Sequence, residues 1–317
     1  MNLAWKIVGG LILLVIAGCS MTITSIVQPA SITAGSILPV TLNVTISTNA
    51  AQTSKFMVAI LVPKVWNAGQ NTTLTFTSDI SSGPQQMTLI PAGTAAPNGN
   101  GLDWPTYLLN TVGNGGNLLP DYEWVAFYSN STYAVTAGAT INATVTIQIQ
   151  TSPDNLLFKL GYCTANSSDG LSDPSRFGTY FPGCFESQGT GDLIDFCNPQ
   201  LSTVNPRTSL DNDIITLSFD GGVTPNALSG ASQVYLCATG TTTSGDSIVR
   251  CVQNAQTKMT SLGLSKWQID IWPRQLFNLA DTQHLARLSY YFTDPAGNNK
   301  VGYGGGTAPF PYNFNCQ

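Results

Sequence analysis

The stretch from Leu264 to Phe277, LSKWQIDIWPRQLF, sets two tryptophans five residues apart on a short alternating run. Successive side chains of a strand point to opposite faces, so Trp267, Ile269 and Ile271 share one face and Gln268, Asp270 and Trp272 the other. An aromatic ring among polar groups suits sugar capture. Its flat apolar surface covers the C–H face of a sugar, while nearby amides or carboxylates bond the hydroxyls. In a second run, Leu288, Tyr290 and Phe292 point to a core, and Arg287, Ser289, Tyr291 and Thr293 point outward. Trp272 and Tyr291 are therefore candidate platforms, with Gln268, Asp270 and Arg287 as hydroxyl partners. Trp104, before Pro105 in the turn-like GLDWP, is a further candidate ring. Packing competes with each assignment, and Trp272 could instead cap the end of a sandwich against Pro273, Leu276 and Phe277.

Catalytic chemistry finds less support. Glycoside hydrolysis uses two carboxylates several Å apart, but the chain has only two glutamates, Glu123 and Glu186, and no aspartate with an identifiable partner. There is no G-x-S-x-G elbow, and the single histidine, His284 in DTQHLARL, has no Ser or Cys motif beside it and reads as a solvated surface residue. Asp169 and Asp173 in NSSDGLSDP lack the alternating acidic ligands and terminal Glu of a calcium loop, so a polar turn is expected there. No cofactor, no metal and no enzymatic activity are expected.

The N-terminus bears on location. Lys6 precedes the apolar run Ile7 to Ile16, and Ile16-Ala17-Gly18-Cys19 follows as a lipobox. The run is too short to span a bilayer comfortably, which takes about 20 residues, so residues 1–18 read as a lipoprotein signal peptide. Cys19 is the expected lipidation site and the first mature residue. Without Lys6 the formal charge is 11 − 17 = −6, with no basic cluster for phosphates, which argues against nucleic acid as a partner. Six further cysteines in an exported chain point to disulfides, because no C-x-x-C spacing occurs. Cys237 and Cys251 flank TGTTTSGDS, a turn that would bring them opposite one another. If all six pair, Cys316 must join Cys163, Cys184 or Cys197. Five Asn-x-Ser/Thr sequons, at Asn43, Asn71, Asn130, Asn142 and Asn166, are about what a chain this rich in Asn, Ser and Thr carries by chance.

Strands must position these residues. Charged residues make up only 9% of the chain, against about 25% in ordinary domains, while Gly, Asn, Ser and Thr abound. Two segments resemble each other, TAGSILPVTLNVTIST from Thr33 and TAGATINATVTIQIQT from Thr136, and each is a turn followed by a strand with one dry and one wet face. KFMVAILVP, TLTFTS and YEWVAFYS add strands between them, and aromatics on both faces of the last leave Trp124 unplaced. The expected fold is all-β, with two antiparallel Ig-like or carbohydrate-binding-like sandwiches in tandem, or three if the repeat marks two small sandwiches. Expected boundaries are 19–162 for the first domain, 163–210 for a disulfide-containing connection and 211–317 for the second domain.

GLDWPTYLLN, PDNLLFKLGY, GDLIDFCNPQLS, KWQIDIWPRQLFNLAD and YYFTDPAGNNKVGYG, together with the lipobox, resemble a family of uncharacterised outer-membrane lipoproteins of glycan-utilisation loci. The part from Asp211 also resembles the carbohydrate-binding sandwiches of the starch-utilisation lipoproteins SusE and SusF. The resemblance implies a non-catalytic lipoprotein, anchored to the outer membrane at the cell surface, that captures polysaccharide or oligosaccharide for a SusC/SusD-like importer. It supplies a class of function and no binding residues. The alternatives are a structural or assembly lipoprotein without sugar affinity and, more remotely, a glycoside hydrolase.

Overall fold

The computed structural model describes residues 18–315, so the signal-peptide assignment and Cys316 lie outside the described residues. The chain is nearly all β and forms two compact units, the first ending at Cys197 and the second beginning at Asn198.

The first unit is built on a nine-stranded antiparallel sheet. Its order is Cys19–Val27, Ile37–Thr48, Thr140–Gln150, Thr72–Ser78, Gln85–Leu89, Tyr122–Ser129, Phe56–Pro63, Gly161–Asn166 and Gly178–Tyr180. The two similar segments are direct neighbours, paired from Ile37 opposite Gln150 to Ser47 opposite Thr140. In each, the glycine of Thr-Ala-Gly takes a positive φ, 75° at Gly35 and 78° at Gly138, which a side chain would resist. Val40, Leu42 and Val44 of the first segment and Val145, Ile147 and Ile149 of the second are buried in one core, so the repeat doubles a sheet and not a domain. The wet face is cross-linked: Thr45 donates to Asn142 at 3.1 Å and Thr144 to Asn43 at 3.0 Å.

A four-stranded sheet shares that core through Leu156, Phe158 and Phe185. It departs from the purely antiparallel expectation. Asp154–Phe158 runs parallel to Thr190–Asp195, and Phe185–Gln188 runs parallel to Ser31–Thr33.

The segment 163–210, expected as a connection, contributes strands to the sheets of both units. Cys163 lies in a strand paired with Phe56–Pro63, three further strands up to Asp195 belong to the first unit, and Ser202–Asn205 is an edge strand of the second. Within it Cys163, Phe185 and Phe196 are buried, together with the polar Ser187, Asp195 and Ser209.

The second unit is a β-sandwich. One sheet orders Ser202–Asn205, Ile215–Asp220, Lys266–Ile271 and Thr260–Gly263. The other orders Ser247–Arg250, Tyr235–Thr242, Leu285–Thr293 and Lys300–Val301, with Phe310–Asn313 also paired to Leu285–Thr293. Phe219 from the first sheet stacks on Phe292 from the second, with ring centroids 4.6 Å apart. Two tandem β-sandwich domains account for the described chain.

Cys237 and Cys251 are bonded, as the hairpin between them requires. Their 14-residue separation makes the bridge a closed loop that contributes about 3 kcal/mol by restricting the unfolded chain. Cys184 pairs with Cys197 within the first unit, and Cys163 is a buried free thiol. The condition of complete pairing is not met among the described residues, since Cys163 carries a free thiol.

Candidate functional site

The alternation of Lys266–Ile271 is realised in three dimensions. Trp267, Ile269 and Ile271 are buried, while Trp272 is 44% exposed beyond the end of the strand. Gln268, Asp270 and Trp272 line an open groove of about 600 Å³ in the second unit.

Backbone topology explains the groove. Strand Thr260–Gly263 pairs with its neighbour only as far as Gln268, opposite Thr260. On the N-terminal side of Thr260 the chain has joined the other sheet: Lys258 bridges Tyr235, and the Met259 amide donates to the Val234 carbonyl at 2.9 Å. Switching sheets at this point leaves Ile269–Ile271 without a strand partner on that side, and Ile269, Ile271 and Leu276 contribute to the lining. Lys258, Thr260 and Gln256 stand on the wall made by the switching segment, and Gln275 comes from the short helix Pro273–Phe277.

Trp272 is fixed at both ends. Its backbone precedes that helix, its carbonyl accepts from the Leu276 amide at 2.9 Å, and its indole Nε1 donates to Asn212 Oδ1 at 3.3 Å. Thr216 Oγ1 donates to one carboxylate oxygen of Asp270 at 2.6 Å. Beneath this, Asp211, adjacent to Asn212 and 2% exposed, binds Arg274 Nη1 at 3.3 Å and the Leu285 amide at 3.0 Å. His284 Nδ1 lies 3.4 Å from the same carboxylate, so the histidine expected to be merely solvated stands beside a buried anion. The groove thus offers one flat ring, a carboxylate, an ammonium, three primary amides and a hydroxyl. Such a set combines an apolar ring face with hydrogen-bonding groups, the two kinds of contact a polyol can use.

The other expected sugar-binding residues lie elsewhere. Tyr291 and Arg287 do point outward, but from strand Leu285–Thr293 of the opposite sheet, so the core separates them from Trp272. Tyr291 instead carries Lys300 Nζ 5.9 Å from its ring centroid. Arg287 sits at a β-bulge, where Thr241 and Thr242 oppose Arg287 and Leu285. Trp104 is 1% exposed and belongs to helix Trp104–Thr111, capped by Asp103 accepting from the Thr106 amide, with Pro105 in its first turn. Its Nε1 donates to the Tyr128 hydroxyl at 3.0 Å, so it is a packed residue and no platform.

Among the carboxylates considered for hydrolysis, Glu123 has its carboxyl raised by burial, with Lys64 pulling the other way. Glu186 lies in the other sheet of the first unit, strand Phe185–Gln188. Asp169 receives the Cys19 amide at 3.2 Å and the Asn166 side chain at 2.9 Å, and Asp173 receives Ser175; both order polar turns. Among the described residues no group of three His, Cys, Asp or Glu side chains could hold a metal ion, and no helix is long and apolar enough to cross a membrane.

Cys19 begins strand Cys19–Val27 with its side chain 2% exposed and its sulfur accepting from Gln52 Nε2 at 2.8 Å. Burial pushes the thiol up to about 11, Asp169 adds to the rise, and Arg176 opposes it. At neutral pH the folded chain holds this thiol protonated and a poor nucleophile.

A family described as a domain of unknown function, DUF4961, matches residues 21–200. The chain belongs to that family. A second domain of unknown function, DUF8578, matches residues 202–301, so the DUF4961 and DUF8578 matches meet near the break between the two units. No curated protein matches the chain. Among solved structures, one titled as AvmM, which catalyses macrocyclization in alchivemycin A biosynthesis, is 12% identical with a TM-score of 0.30, covering 56% of this chain and 90% of that one. The C-terminal domain of the Streptococcus pyogenes antigen I/II-family protein AspA is 8% identical with a TM-score of 0.23, covering 95% and 99%. The B domain of a biofilm associated protein is 9% identical with a TM-score of 0.25, covering 90% and 84%. At these scores none of the likenesses assigns an activity to this DUF4961 protein.

Proposed function

We propose that this DUF4961 protein is a non-catalytic lipoprotein of the outer membrane that captures polysaccharide or oligosaccharide at the cell surface for a SusC/SusD-like importer. The observation that carries the reading is the groove of the second unit. There Trp272, held by Asn212, presents its ring beside Gln268, Asp270 and Gln275. A half-exposed, preorganised ring with amides in reach supplies both the apolar contact and the hydroxyl partners that sugar binding needs. The resemblance to glycan-utilisation lipoproteins and to SusE and SusF supports the importer and the location.

The test is calorimetric titration of the soluble chain with a panel of oligosaccharides. Trp272→Ala should lower affinity at least about tenfold, or roughly 1.4 kcal/mol, with melting little changed. A panel in which nothing binds the parent chain would favour a scaffolding lipoprotein without sugar affinity.

The anchor is tested separately. Because the Cys19 thiol is buried and protonated in the folded domain, acylation must precede closure of strand Cys19–Val27. Mass measurement of membrane-purified protein should find a diacylglyceryl-modified Cys19 as the first residue. An unmodified thiol, or a chain beginning at Met1, would overturn the assignment.

A further inference from the structure

Lys258 and Asp270 line the same groove without pairing to each other. The ion pairs of the second unit are Lys266 with Asp220, and Arg274 and His284 with Asp211; Lys258 forms none among the described residues. One carboxylate oxygen of Asp270 accepts from Thr216 Oγ1 on the neighbouring strand. The backbone at Lys258 is pinned by its bridge to Tyr235 and by its amide, which donates to the Asn254 carbonyl at 3.0 Å. Lys258 thus starts from a fixed backbone position in the lining of the groove, and its ammonium is in no ion pair among the described residues. The second unit imposes no general repulsion on an anion: residues 198–317 carry seven Lys and Arg against seven Asp and Glu, and 7 − 7 leaves no net formal charge.

We infer that the groove selects an anionic glycan, one whose sugar carries a carboxylate or sulfate that Lys258 meets while the ring lies on Trp272. The inference rests on the capture reading. A neutral sugar would leave the ammonium with water and gain nothing from it. An anionic one gains a charge-assisted hydrogen bond, the stronger kind, in a groove partly walled by apolar side chains. Asp270, on the strand side, would accept from hydroxyls and disfavour a second anion close by, so spaced charges suit the groove better than a dense polyanion.

The experiment titrates the full chain with three length-matched probes: a neutral oligosaccharide, an oligogalacturonate and a sulfated oligosaccharide, at low salt and at 0.5 M NaCl. At low salt at least one anionic probe should bind about tenfold tighter than the neutral one, and high salt should shrink the difference. Lys258→Met should abolish the difference with melting unchanged, and Lys258→Arg should restore most of it. The tighter of the two anionic probes identifies carboxylate or sulfate as the group read. Equal or better binding of the neutral probe, still dependent on Trp272, overturns the inference and leaves capture standing. Preference for an anionic probe that survives Lys258→Met also overturns it. Failure of all three probes removes the capture reading and this inference with it.

Discussion

Trp267→Ala is expected to destabilise the second unit by about 3–5 kcal/mol, the range for truncating a large aromatic side chain in a packed interior. Trp267 is 8% exposed, lies opposite Phe219 in the sheet and belongs to the same core as Ile269, Ile271 and Phe292. An indole removed there leaves a cavity between the two sheets that the flanking strands, pinned by their ladders, can only partly close. Trp272 sits five positions along the same chain and has the opposite environment, so its truncation should change melting by less than about 1 kcal/mol, as surface changes do. The measurement is a pair of denaturant melts on the two variants. Equal losses would make Trp272 a packing element, and a loss below 1 kcal/mol for Trp267 would remove it from the core.

The contrast between these two tryptophans was legible because a strand of known period assigns a face to every residue on it. Val40, Leu42 and Val44, and Ile141 to Ile149, were read as core-facing by the same logic and are buried or nearly so. The Cys237–Cys251 bridge was legible because its hairpin is local in sequence. Periodicity, however, assigns a face and says nothing about which sheet a strand joins. Tyr291 and Trp272 both point outward, and only long-range pairing puts them on opposite sheets.

Trp104 was misread for a different reason. Asp103 and Pro105 are helix-start residues, and weighing them as a cap would have turned the expected turn into a buried first helical turn. The strands that reach into 163–210 are three to six residues long and are as rich in Gly, Ser, Thr, Asn and Asp as in apolar residues, so their composition is that of a loop. Lys258 had no signal at all. Its place in the groove depends on the chain leaving one sheet for the other beside Met259, a consequence of the whole sandwich and of no local pattern.

Asp211→Ala should be as costly as Trp267→Ala, about 3–5 kcal/mol, because removing one partner of a buried ion pair strands the other charge. Asp211 is 2% exposed, and its Oδ2 serves the Arg274 guanidinium and the Leu285 amide, with the His284 ring 3.4 Å away. Without the carboxylate, Arg274 keeps only its hydrogen bonds to the Gln283 and Ala280 carbonyls, and the Leu285 amide loses its acceptor in the interior. Asp211→Asn should cost less, since an amide oxygen still accepts from Leu285 while the charge is gone. The two variants also separate stability from binding. Asp211 anchors the turn that carries Asn212, and Asn212 orients the Trp272 ring, so a loosened turn lets the ring lose its fixed pose and makes the bound state pay to order it. Asp211→Asn should therefore weaken glycan binding several-fold at a temperature where the variant is fully folded. If it melts like the parent chain, the carboxylate charge is no part of what holds this corner. If it melts lower with affinity unchanged, Asn212 holds the ring without help from its neighbour.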